Sequence, residues 1–72
     1  MTPLSMINTG TKVVVQEITG GMKLRNRLIA LGILPGAEIE VLNNPAHGPF
    51  IMAVKGSRIA IGRGMASRII VG

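Results

Sequence analysis

The stretch from Lys23 to Gly36 restricts the fold more than any other part of this chain. Leu24, Leu28 and Leu31 recur at the i, i+4, i+7 spacing of one helical face, which predicts a short helix with those leucines turned to the core. Gly32 stands where such a helix needs a left-handed residue to stop. Pro35-Gly36 then supplies the fixed φ and the positive φ that the two central positions of a type II turn require. Beyond the turn, Ala37-Glu38-Ile39-Glu40-Val41 alternates strictly, predicting a strand with Ala37, Ile39 and Val41 facing in and both glutamates facing out.

The flanking segments read as more strands. Lys12 to Thr19 holds three adjacent valines, Val13, Val14 and Val15, and does not alternate cleanly. Such a strand is either buried on both faces or bulged, as at the corners of small barrels. Gly20-Gly21 breaks it and opens the helix. Asn43 to Pro49 is a loop by composition. Phe50–Lys55 and Arg58–Arg63 form a hairpin across Gly56-Ser57, where glycine in first place suits a type II′ turn. Gly64 to Ser67 makes one helical turn, and Arg68 to Val71 closes as a last strand. The pattern predicts a mainly β fold: a small SH3-like barrel of about five strands, with one helix between the first two.

With 72 residues this is a single domain, and a chain of that size buries only about 60% of its unfolded surface. The core is nearly all aliphatic, because Phe50 is the only aromatic residue. A hydrophobic share of 47% exceeds what so thin a core hides, so some apolar surface is left for a partner. The absence of cysteine removes disulfides, thiolate metal sites and cysteine nucleophiles. A cytosolic location is expected: the start lacks the pattern of a signal peptide, and no uncharged window free of Pro, Gly and Asn approaches the roughly 20 residues that span a bilayer.

Catalysis is poorly provided for. His47 is the only histidine, there is no aspartate, and no nucleophile has a base and an orienting group beside it. Neither Gly10-Thr11-Lys12 nor Gly62-Arg63-Gly64 forms a phosphate-cradling loop. Glu38 and Glu40 share a strand face, their Cα atoms about 7 Å apart, and read as a solvated outer face rather than a metal site. The five methionines are soft, but scattered thioethers in a small chain are usually gap fillers rather than a metal site. No enzyme activity, cofactor or metal is expected.

Several pieces in order are similar to the ferrous iron transport protein A family, FeoA: Leu31-Gly32-Ile33-Leu34-Pro35-Gly36, the alternating strand after it, Gly48-Pro49, Ile59-Ala60 and Ala66-Ser67-Arg68-Ile69-Ile70-Val71. The resemblance covers nearly the whole chain. It implies a free-standing SH3-like barrel in the cytosol that assists the membrane ferrous-iron transporter FeoB, whose cytosolic part is a GTPase; contact with the membrane is then only through that partner. One departure is Gly62-Arg63-Gly64, a flexible stretch that weakens the expectation of a rigid final turn.

Binding is the function left, and charge and helix geometry suggest where. Eight Lys and Arg against three Glu give a net charge of +5, which suits an acidic partner or is merely a solvated basic surface. On the helical wheel Met22 and Ile29 fall almost opposite the leucine face, flanked by Arg25 and Asn26. They form either a partner-facing patch or a surface covered by a neighbouring loop. Lys23 and Arg25 sit in the first turn, where the helix dipole disfavours cations, and an acidic partner would compensate them. Lys55 and Arg58 flank the hairpin turn as like charges, a basic knob. The candidate partner-binding residues are therefore Met22, Arg25, Ile29, Lys55 and Arg58. The alternatives are a basic small-barrel nucleic-acid binder, disfavoured because no spare aromatic is available for base stacking, and a homo-oligomer joined through open edge strands.

Overall fold

The computed structural model describes residues 1–72. A two-residue strand, β1 (Thr2–Pro3), leads into a 3-10 turn over Leu4–Met6. Then come β2 (Lys12–Ile18), α1 (Met22–Ala30), β3 (Glu38–Asn43), β4 (Phe50–Val54), β5 (Ser57–Ile61), the short α2 (Arg63–Ala66) and β6 (Ile69–Val71). The strands form one antiparallel sheet in the order β1-β6-β2-β3-β4-β5, wrapped about one core. It has six strands where the sequence pattern predicts five. The extra one is β1, whose Thr2 and Pro3 pair with Val71 and Ile70 of β6. Two residues have no periodicity to detect, and proline is compatible with a strand that lies at the sheet edge.

The valine run of β2 is resolved by a bulge. Val15 pairs with Val71 of β6 and Glu17 with Ile70, so Gln16 is the extra residue. The burial pattern steps with it: Val13 and Val15 point in, and the next inward side chain is Ile18. One strand thereby pairs with β3 through Lys12, Val13 and Val14, then with β6 through its second half. That change of partner bends the sheet around its core.

α1 ends as its glycine requires. Gly32 has φ +87°, its N–H donates to the Ile29 carbonyl at 2.9 Å, and the Ile33 N–H donates to the Leu28 carbonyl at 2.9 Å. These two bonds define a Schellman motif, with Ile33 folded back over Leu28. The consequence corrects the expected core face. Leu28 is fully buried and Leu24 half-buried, but Leu31 is 42% exposed, because Ile33 takes the core position two residues later. The Pro35-Gly36 turn forms as predicted, with Gly36 at φ +93° and the Ala37 N–H donating to the Leu34 carbonyl at 2.9 Å. It is fastened to β2, since Val15 accepts from the Gly36 N–H and donates to the Ala37 carbonyl, each at 2.8 Å.

The hairpin turn also differs from expectation. Val54 pairs with Ser57, so the two loop residues are Lys55 and Gly56, at φ +51° and +79°. Positive φ at both positions is a type I′ turn, whose twist suits the strands better than the type II′ turn expected on Gly56-Ser57. Every buried residue is apolar, Phe50 among them, so no titratable group contributes to the interior.

Candidate functional site

α1 carries the first three candidate residues. Gly21 caps it without a side-chain hydrogen bond, and its first turn holds no acidic residue to offset Lys23 and Arg25. Met22 is 76% and Ile29 45% exposed, so no neighbouring segment covers them. Seven residues apart, they lie on one helical face two turns from each other. Leu31 and Leu34 add exposed apolar surface at and beyond the end of the helix. Arg25 lines a shallow groove of about 470 Å³ with Met1, Gln16, Glu17, Ile18 and Pro35.

Lys55 and Arg58 belong to a different surface. Lys55 lines a second groove, of about 380 Å³, with Lys12, Glu38, Glu40, Ala53 and Gly56. The groove thus sets two lysines among the two glutamates, which makes the glutamate pair a poor cation site. Arg58 lies on β5 opposite Ala53, not opposite Lys55. The expected basic knob thus separates into an exposed lysine at the hairpin tip and an exposed arginine on an edge strand. No three His, Cys, Asp or Glu side chains converge to hold an ion, and His47 is exposed in the loop before β4.

One cluster escaped the sequence reading. Asn44 Nδ2 donates to the carbonyls of Ser5 and Ile7 at 3.0 and 2.8 Å, and its backbone N–H donates to Thr9 Oγ1 at 3.2 Å. Arg63 Nη1 donates to Asn44 Oδ1 and to the Pro45 carbonyl, both at 2.6 Å, and Nη2 to the Ser5 carbonyl at 3.4 Å. Arg63 therefore ties α2 to the N-terminal turn and to the loop after β3. The Gly62-Arg63-Gly64 stretch is held by this arginine, contrary to the flexibility its glycines suggest. The only signal in the sequence is an arginine between two glycines, which says nothing about its partners.

The fold agrees with comparisons to known proteins. The FeoA domain model matches residues 2–72. A protein of Methanocaldococcus jannaschii, provisionally named Fe(2+) transport protein A, is 42% identical over 99% of this chain and 85% of its own length. A crystal structure of an iron uptake regulatory protein, FeoA, superposes with a TM-score of 0.90 at 44% identity, covering 99% of this chain and 93% of that one. The FeoA of Stenotrophomonas maltophilia, crystallised with zinc and described as a prokaryotic SH3 domain protein, has a TM-score of 0.82 at 27% identity over 96% of this chain and 87% of its own. With the family model matched over residues 2–72 and a relative 42% identical over 99% of the chain, this chain belongs to the FeoA family.

Proposed function

We propose that this protein is a non-enzymatic accessory factor of ferrous iron transport that works on the cytosolic side of the membrane. Its partner is the cytosolic GTPase region of a FeoB-type transporter, and binding modulates that transporter's assembly or activity. Family membership supports the transport role. The observation that carries the binding role is α1, whose Met22 and Ile29 are exposed on one face, two turns apart, on a helix with Lys23, Arg25 and Arg27 and no acid. An acidic, partly apolar protein surface would bury the two side chains and compensate cations that the helix dipole leaves unfavourably placed.

The test is capture of the transporter's cytosolic region on immobilised protein. Met22→Asp and Ile29→Asp should each reduce capture at least tenfold while leaving the circular dichroism spectrum and thermal midpoint unchanged, since both side chains face solvent. Normal capture by both variants would refute this surface. Nucleic acid is not the expected partner, because the one aromatic side chain, Phe50, is fully buried and unavailable for base stacking. Titration with RNA and DNA at low and moderate salt checks this, and micromolar binding that falls steeply with salt would reverse the assignment.

A further inference from the structure

β5 is one edge of the sheet, with the five other strands behind it and nothing beyond it. In a hairpin with a two-residue turn the flanking residues form a hydrogen-bonded pair, here Val54 and Ser57. By alternation, Ile59 and Ile61 also bond to β4, while Arg58 and Ala60 turn their N–H and C=O groups outward. No backbone hydrogen bond from another segment reaches either residue, and both are exposed. The opposite edge is only two residues long and begins with Thr2-Pro3, so β5 is the longer and less protected edge.

Charge says what fits there. Lys12 pairs with Glu40, Glu40 with Ala53, and Ala53 with Arg58, so one cross-strand row on the outer face runs cation, anion, neutral, cation and stops at the edge. A strand added beyond β5 places its own residue opposite Arg58. After Glu40 the chain contains four cations, Lys55, Arg58, Arg63 and Arg68, and no carboxylate. A second copy of β5 therefore offers no acid to meet Arg58, and each copy carries a net charge of +5.

We infer that the β5 edge is a docking site for an extended acidic segment of a partner protein, which adds as a further strand on Arg58 and Ala60 and sets a carboxylate opposite Arg58. Main-chain bonds supply the attachment and the arginine the preference, the division of labour of β-strand addition. This surface is separate from α1 and does not depend on the role proposed for Met22 and Ile29.

A capped hexapeptide of alternating glutamate and valine is the probe, with the lysine–valine hexapeptide as its control. Both are titrated at low salt into the full chain and followed by amide NMR and hydrogen exchange. The glutamate peptide should slow exchange at Arg58 and Ala60 at least tenfold, and the lysine peptide should leave it unchanged. Ala60→Pro removes an N–H that makes no bond within the sheet, and Arg58→Glu reverses the charge; each should weaken binding tenfold or more, whereas Met22→Asp should not alter it. Equal binding of both peptides, perturbation centred on α1, undiminished binding by Ala60→Pro and Arg58→Glu, or no binding would each overturn the inference. Slowing of Arg58 and Ala60 that rises with protein concentration alone would assign the edge to a second copy instead.

Discussion

Asn44 offers the sharpest test of how this small domain is held together. Its side chain joins three segments that no strand pairing connects: it donates to the Ser5 and Ile7 carbonyls and accepts from Arg63 at 2.6 Å. Asn44→Ala deletes all three bonds and leaves the Arg63 guanidinium with only carbonyl acceptors. A neutral hydrogen bond contributes about 1 kcal/mol net and one to a charged group about 1.5–3 kcal/mol. The site is only half-buried, so water replaces part of what is lost. The expected cost is about 2–4 kcal/mol. At roughly 0.05–0.15 kcal/mol per residue, the whole domain has about 4–11 kcal/mol to lose. Each kcal/mol moves the midpoint of a domain this size by about 4–8 °C, so the melting temperature should fall by at least about 8 °C. Asn43→Ala, at an exposed neighbour whose side chain makes no hydrogen bond within the chain, is the control and should change stability by less than about 0.5 kcal/mol. Thermal and urea denaturation measure both. A drop of under 3 °C for Asn44→Ala, or equal effects of the two variants, would show that these bonds do not stabilise the fold.

The glycines supply a pair of opposite signs. Gly32→Ala meets no steric obstacle nearer than Val54 Cγ1 at 3.9 Å but is strained at φ +87°, so it should destabilise by about 1–2 kcal/mol in urea denaturation. Gly64→Ala, in α2 with open space around it, should stabilise by about 0.4–1 kcal/mol. Lys55→Asn places at φ +51° a residue that tolerates the left-handed region and should raise the thermal midpoint by a few degrees. Leu28→Ala empties a fully buried position under α1 and should cost about 2–5 kcal/mol, with hydrogen exchange accelerated first in α1.

What was legible in the sequence follows the range of the interactions that decide it. The stop at Gly32, the Pro35-Gly36 turn and the alternation of β3 are settled within a few residues, and each appears where its pattern places it. Leu31 was misplaced because the leucine spacing carries on past the point where Schellman geometry ends the helix and substitutes Ile33. The hairpin turn slipped by one residue for a related reason: glycine was read as the first turn position, although a type I′ turn takes lysine there at a small conformational cost. β1 and the Asn44–Arg63 network were invisible because each depends on partners 18 to 69 residues away. The exposure of Met22 and Ile29 was readable from the wheel, but the separation of Lys55 from Arg58 needed the strand register.

The fastening of the Pro-Gly turn to Val15 has a consequence for how the surface of this fold can change. α1 leaves the sheet after Ile18, next to Thr19, whose N–H is tied to the Arg68 carbonyl at 2.8 Å, and rejoins it through Gly36 and Ala37 at Val15. Both ends of the excursion are thus anchored on or beside one strand by backbone bonds, which any side chain permits. The intervening helix is a cassette closed at its base: its outer residues can be rewritten without shifting a register elsewhere in the sheet. The same frame can therefore carry different surfaces at α1, provided a rewrite keeps the core positions Leu28 and Ile33, the half-buried Leu24 and the left-handed Gly32.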